Sequence, residues 1–451
     1  MIALNPKKIL IARGDVLGDV TVTSALITPL KKQFPNAKIY FLIRQDYMCL
    51  FNDDPQVDGC IVDPLPYTCT KKDRPNMQAL SHTLKAHQFD CFIGCWETPR
   101  YAYIAWKAGI PIRIGHAKFA LNKLFYTHAI KLDYNNMTLH KCQYNAKLLG
   151  PLGITDADQY PVQLHSHQTP FITLPYIAIH LDAGTQTRIM LDAHFIGMVQ
   201  YIALHFPQYK MVLFGLNRNK NSAINIVKAC SHIRLTNDVG RGDLSHVMGL
   251  IKHASLVISA DSGPAHIAAG FNVPVVVNYV NRIQNACHWG PWRVPHRIVS
   301  SVHNCIDVCH PNECVKTTCR DGISQTQLHQ AINDLLNQAP LPSPNQQHYW
   351  LKHTLTIGVF DSTPDALKTY LNQEGWRTVV LPNASHIFDK KRCDANINII
   401  LLPTAKKGWL TALKWAISNR WASNYITFLP QTIYANTGFQ LELELTSLFN
   451  T

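Results

Sequence analysis

Residues 256–279 constrain what this chain can fold into more than any other stretch. They read LVISADSGPAHIAAGFNVPVVVNY: an apolar run, the turn Asp261-Ser262-Gly263, a short segment of small residues carrying His266, and a second apolar run. Short apolar runs bounded by turn residues are buried strands, and so close a succession of strand, turn, helix and strand is a βαβ unit. Pro264 suits the first helical turn, where its missing N–H would be an orphan donor anyway. Bare amides and the positive end of the helix dipole converge at the turn, which favours a phosphate or diphosphate. Gly263 lets the backbone come close to such a ligand. In an open parallel sheet this turn lies beyond the carboxyl ends of the strands, where ligands sit. An ordinary βαβ turn with an Asp N-cap and a packed histidine carries the same local pattern, so the turn alone does not decide function.

Strand and helix periodicities alternate along the rest of the chain. Strands are expected at 8–12, 38–43, 57–62, 90–94 and 110–115, so residues 1–160 form a first α/β domain. Its first strand runs into Arg13-Gly14-Asp15-Val16-Leu17-Gly18-Asp19, and helical periodicity follows over 20–34. Two glycines and two carboxylates at a strand tip make a functional loop; Asp19 also suits a plain N-cap. Residues 156–176 are polar with three prolines and read as a linker. A second series, 176–340, places strands at 177–180, 210–214, 233–235, 256–259 and 273–277, a doubly wound parallel sheet. The turn after its first strand offers Thr185, Thr187 and Arg188 to a phosphate. After a Pro/Asn/Gln linker, residues 350–451 read as a small appended α/β domain, with strands at 355–360, 377–381, 397–402 and 425–429 and helices at 365–372 and 409–417. Its Trp409, Trp415 and Trp421 suit packing more than sugar stacking.

At 451 residues the chain exceeds one core. A hydrophobic share of 47% with 16% charged residues describes a globular protein, and no apolar run approaches the ~20 residues of a membrane span. The N-terminus reads as a first strand and not as a signal peptide. A net charge of +13 suggests an anionic partner: a nucleotide-linked substrate, a phosphorylated glycolipid or a membrane surface. No zinc-finger, RNA-recognition or basic-zipper pattern is present, which disfavours nucleic acid. Most of the 13 cysteines are scattered in apolar settings, as in a reduced cytoplasmic protein. Cys305, Cys309, Cys314 and Cys319 are clustered; the spacing departs from C-x2-C pairs and is open to a metal or to paired disulfides. Neither half carries GxGxxG, which argues against a nicotinamide dehydrogenase.

Four signatures resemble, in order, the heptosyltransferase family of inverting glycosyltransferases: residues 11–20 with Arg13 and Leu17-Gly18-Asp19-Val20, residues 180–188, Gly240-Arg241-Gly242-Asp243-Leu244, and the diagnostic run from Asp261 to Ala269. The resemblance covers roughly residues 1–340. It implies the GT-B architecture, two facing Rossmann-like domains with parallel sheets, with the closing helix at 324–339 crossing back to the first. It also implies an ADP-heptose donor, an anionic lipopolysaccharide-core acceptor, and a cytoplasmic enzyme in peripheral contact with the inner membrane. Asp15 stands where the family usually has Ser, Ile189-Met190-Leu191 replaces basic-Trp-Pro, and Gly215-Leu216-Asn217 lacks the second glycine and nearby acid that usually holds the ribose. Heptosylation of a protein such as an autotransporter, and nucleotide-sugar binding without turnover, are the alternatives.

The chemistry has its own demands. A sugar hydroxyl needs a general base, and a departing diphosphate needs preorganised donors and a cation. Asp19 is the expected catalytic base, in an acceptor-side loop with Arg13, Asp15 and Gly18. The donor side is expected to use Thr185, Thr187, Arg188, the amides around Ser262 and Gly263, Asp261 for sugar hydroxyls or the turn, and His266. No cofactor or metal is required, and no D-x-D pair is present to hold one.

Overall fold

The computed structural model describes residues 4–132, 139–169, 171–172, 175–281, 285–301, 303–304, 314, 316, 318–337, 350 and 369, and the strands at 356–360, 377–381, 399–402 and 427–430. Strands β1 (Lys8–Ala12), β2 (Lys38–Ile43), β3 (Gly59–Val62), β4 (Cys91–Gly94), β5 (Ile112–His116) and β6 (His128–Ile130) form one sheet in the order β3-β2-β1-β4-β5-β6, parallel throughout. Strands β7 (Tyr176–His180), β8 (Lys210–Phe214), β9 (Leu235–Asn237), β10 (Leu256–Ala260), β11 (Val275–Tyr279) and β12 (His296–Ser300) form a second parallel sheet in the order β12-β11-β10-β7-β8-β9. Read from β9, its winding repeats that of the first sheet. Both are Rossmann-like, and each reverses direction beside its own first strand, where a ligand crevice opens. Strands β7, β10 and β11 are buried along their whole length, because helices cover both faces of a parallel sheet.

A third parallel sheet joins β13 (His303–Asn304), β14 (Thr356–Phe360), β15 (Arg377–Leu381), β16 (Ile399–Leu402) and β17 (Thr427–Pro430) in the order β13-β15-β14-β16-β17. The helices expected at 365–372 and 409–417, and Trp409, Trp415 and Trp421, lie outside the described residues apart from Thr369.

The two Rossmann-like lobes meet through the helices Leu17–Val22 and Gly263–Gly270. A Cβ on Gly18 would stand 2.7 Å from His266 Cδ2, and one on Gly263 would stand 2.6 Å from Leu17 Cδ2. The room made by Gly263 is therefore filled by Leu17 across the interface, and not left open for a ligand. One apolar cluster runs from Ile9 and Ile11 in the first sheet to Val257 and Val275 in the second.

Two elements depart from the periodicities. The helical pattern over 20–34 is interrupted by a 3₁₀ turn at Thr23–Leu26. Pro29 has no N–H to close that turn in α geometry, and the Thr23 hydroxyl donates to the Val20 carbonyl at 2.6 Å. The closing helix, Gln325–Leu336, does not cross to the first lobe: Leu328, Ala331, Ile332 and Leu335 seal the second lobe's core against β12 and the helix Asp192–His205.

Candidate active site

The carboxyl tips of β1, β7, β8 and β10 converge on a cleft of about 980 Å³ between the two lobes. The first lobe contributes Val16, Leu17, Gly18, Asp19, Asp46 and Tyr47. The second contributes its strand tips, the Gly240–Leu244 turn and the Asp261–Pro264 turn, with His266 behind and Asn285 and Trp289 at the side.

Asp19 sits in the first turn of the helix Leu17–Val22, whose N-cap is Val16, so it is not the cap itself. Its partner is Arg13, buried to 1% exposure. The Arg13 fork takes Asp15 through Nε and Nη2, both at 2.7 Å, while Nη2 also reaches Asp19 and Nη1 donates to the Cys95 carbonyl. Arg13 and Asp15 thus stand behind the cleft wall, and Asp19 and Gly18 form it. A bidentate guanidinium is a rigid mount, and here it holds the Asp19 carboxylate at the cleft.

On the facing lobe, Ser262 is the N-cap of the helix Gly263–Gly270, and Pro264 falls in its first turn. The first amides of a helix have no intrahelical acceptor, so they and the dipole meet the cleft at Ser262 and Gly263. Arg188, in the 3₁₀ turn Gln186–Arg188, brings Nη1 within 3.8 Å of the Asp261 carboxylate, while its buried Nε has no hydrogen-bond partner. Thr185 and Thr187 do not line the cleft; their hydroxyls lie 3.3 Å from each other. His266 is buried in the cleft wall. Burial holds its pKa down to about 4, and its Nδ1 has no hydrogen-bond partner. It is a neutral ring near pH 7, so it offers the cleft a hydrogen bond and not a positive charge.

Several lining residues lie in quoted signatures without a role assigned to them, or in no motif at all. Asp182, at the tip of β7, accepts from the Ala183 amide at 2.7 Å and from Arg218 Nη2 at 2.6 Å, which ties the β7 and β8 tips together. Arg218 follows the Gly215-Leu216-Asn217 turn, and only the β7–β8 pairing reveals its partner. Gly240 and Gly242 both hold positive φ, +75° and +66°, which turns Arg241 toward the cleft and lets Asp243 cap the helix Leu244–Lys252. Tyr47, Asp46 and Trp289 come from segments with no motif.

Buried histidine rings give a pH dependence, and three of them lie close together in size of effect. Burial lowers His180, His266 and His296 to about 4 each, against about 6.5 in an unfolded chain. Their folded pKa values are depressed, so the unfolded state binds the extra protons. Stability is full above pH 6.5 and falls as pH drops from 6.5 to about 4, by up to about 3 kcal/mol per ring. Urea midpoints measured across pH 4–8 check this; a flat profile contradicts it.

Among the described residues no group of three or more His, Cys, Asp and Glu could hold a metal. Cys305 and Cys309 lie outside the described residues. Cys314 is half-buried, and Cys319 packs on the second lobe's core. Cys49, Cys60, Cys69, Cys91, Cys95, Cys142, Cys230 and Cys314 are free thiols.

The model of glycosyltransferase family 9, the heptosyltransferases, matches residues 77–319, more than half of the chain. The chain belongs to glycosyltransferase family 9. Lipopolysaccharide heptosyltransferase 3 of Escherichia coli is similar to it at 24% identity over 291 residues, which are 61% of this chain and 83% of that protein. A family 9 glycosyltransferase from Veillonella parvula superposes with a TM-score of 0.63 at 20% identity, over 75% of this chain and 99% of its own. The Escherichia coli heptosyltransferase WaaC, solved with ADP, superposes at 0.57 and 14% identity over 73% of this chain and 99% of its own. This family 9 glycosyltransferase is therefore a GT-B protein, its lobes the two facing Rossmann-like units, with a third parallel sheet besides.

Proposed function

We propose that this family 9 glycosyltransferase moves a heptose from ADP-heptose, with inversion, to an anionic lipopolysaccharide-core acceptor, in the cytoplasm at the inner face of the membrane. One observation carries the reading: a carboxylate of one lobe, Asp19, and the amide-lined turn of the other, Ser262-Gly263, wall the same cleft. An in-line displacement asks for that opposition. The base takes a proton from the acceptor hydroxyl on one side, and the leaving diphosphate gains charge on the other. The helix N-terminus and Arg188, whose Nε lacks a partner, receive that charge. Asp261, beside Arg188, serves donor hydroxyls or sets the arginine. One relative is named a lipopolysaccharide heptosyltransferase and another was solved with ADP, which supports the acceptor class and the nucleotide. Among the described residues no helix is long and apolar enough to cross a membrane.

The test is a mass-spectrometric assay of the pure protein with a panel of sugar nucleotides and a phosphorylated core glycolipid, run in chelator. ADP-heptose should be consumed, giving a glycoside whose anomeric configuration is opposite to the donor's. Arg188→Ala should raise the donor KM by about 10–100-fold, since a charge-assisted hydrogen bond contributes roughly 1.5–3 kcal/mol. Donor retention without turnover on any acceptor would leave a binding protein and overturn the reading.

A further inference from the structure

Residues 99–132 contain six Lys and Arg and no Asp or Glu. They form the flank of the first lobe at its β6 edge, through the helices Pro99–Lys107 and Ala120–Phe125. Four large apolar side chains stand out of this flank: Leu124 is 70% exposed, Leu121 53%, Trp106 47% and Phe119 45%. Trp106 is not isolated. Trp106 lies 5.1 Å from Phe125 and 6.0 Å from Tyr103, centroid to centroid, so the exposed ring belongs to one aromatic cluster. Lys107, Lys118, Lys123 and Lys131 of the same stretch are exposed. Contiguous exposed apolar surface of this kind marks an interaction site, not ordinary solvated surface.

We infer that this flank docks on an anionic phospholipid bilayer, with Trp106, Phe119, Leu121 and Leu124 entering the headgroup–acyl boundary and the lysines meeting lipid phosphates. Charge decides the occupant. An unbroken acid-free stretch suits a uniformly negative surface, to which lysines near anionic lipid are drawn. Aromatic and leucine side chains with a basic border are the composition of interfacial anchors. Geometry fits as well. Lys118 and Phe119 follow the carboxyl tip of β5, two strands from β1. At about 4.8 Å per strand, the anchor lies about 10 Å along the sheet from the Asp19 loop. Docking would set the cleft beside the lipid surface, on the same side as a membrane-borne acceptor. The inference rests on the proposed lipid-linked acceptor, which it extends by naming the surface.

Flotation with vesicles of three parts phosphatidylethanolamine to one part phosphatidylglycerol tests it on the full chain. The wild type should float with these vesicles, should not float with pure phosphatidylcholine, and should be released by 0.5 M salt. Leu121→Ser/Leu124→Ser and Lys118→Gln/Lys123→Gln should each lower the bound fraction at least fivefold. All four sites are exposed, so the melting temperature should not move. Turnover on a delipidated, soluble acceptor should be unchanged in both variants, which separates failure of docking from failure of the transferase reading. Equal flotation of wild type and variants overturns the inference. So does a wild-type dimer that the leucine variant converts to monomer, because a second copy would then be the occupant.

Discussion

Asp19→Asn should lower turnover by about 10²–10⁴-fold, the usual contribution of a positioned general base. Asparagine keeps an oxygen for Arg13 and fills the same volume, so the loop and the donor side stay as they are. The dissociation constant for ADP-heptose, measured by calorimetry, should change little, because the proposed donor seat lies on the other lobe. Single-turnover kinetics separate chemistry from binding. Undiminished turnover would remove Asp19 from the base role and pass it to Asp46, the other first-lobe carboxylate that lines the cleft. Asp15 is not the natural substitute: both its oxygens are held at 2.7 Å by the Arg13 fork, behind the wall.

Arg13→Met should be the most destabilising single change in the first lobe. The guanidinium is enclosed and faces two carboxylates that are themselves buried. Removing one partner of a buried ion pair leaves uncompensated charge and costs about 3–5 kcal/mol. Here two carboxylates lose their partner at once, and the Cys95 carbonyl loses its donor. Arg13→Lys should recover only part of this, since an ammonium cannot present the planar fork that takes Asp15 through two nitrogens. Urea denaturation followed by the first lobe's tryptophans measures the shift. A variant as stable as the wild type would show that water reaches both carboxylates. The double change Arg13→Met/Asp15→Asn should be more stable than Arg13→Met alone, because one stranded charge has gone.

The two predictions concern a motif that the sequence displayed openly, and its parts were not equally readable. Strands such as Lys8–Ala12, Lys38–Ile43 and Lys210–Phe214 fall where their apolar runs lie. Strands β6 and β12 were not visible. β12 reads His-Arg-Ile-Val-Ser, yet all five residues are buried. His296 is satisfied by the Trp350 indole at 3.0 Å, and Arg297 by Asp334 at 2.9 Å, partners 54 and 37 residues away. A polar residue looks like loop until its distant partner is known. The departure of the closing helix has a similar cause. Its apolar stripe states that one face is buried, but not against which sheet.

What the sequence by itself determined is the alternation of buried strands and helices, and the two strand-tip loops that carry Asp19 and the Asp261-Ser262-Gly263 turn. Local periodicity and turn chemistry suffice for that. Only the tertiary structure decided that these loops share a cleft, that Arg13 is buried against Asp19 behind the cleft wall, and that Arg218 pairs with Asp182. It also decided that Gly18 and Gly263 let two helices touch. Those facts depend on which side chains meet across long separations in the chain, and such meetings are settled by packing and charge pairing between lobes, which leave no period in the sequence.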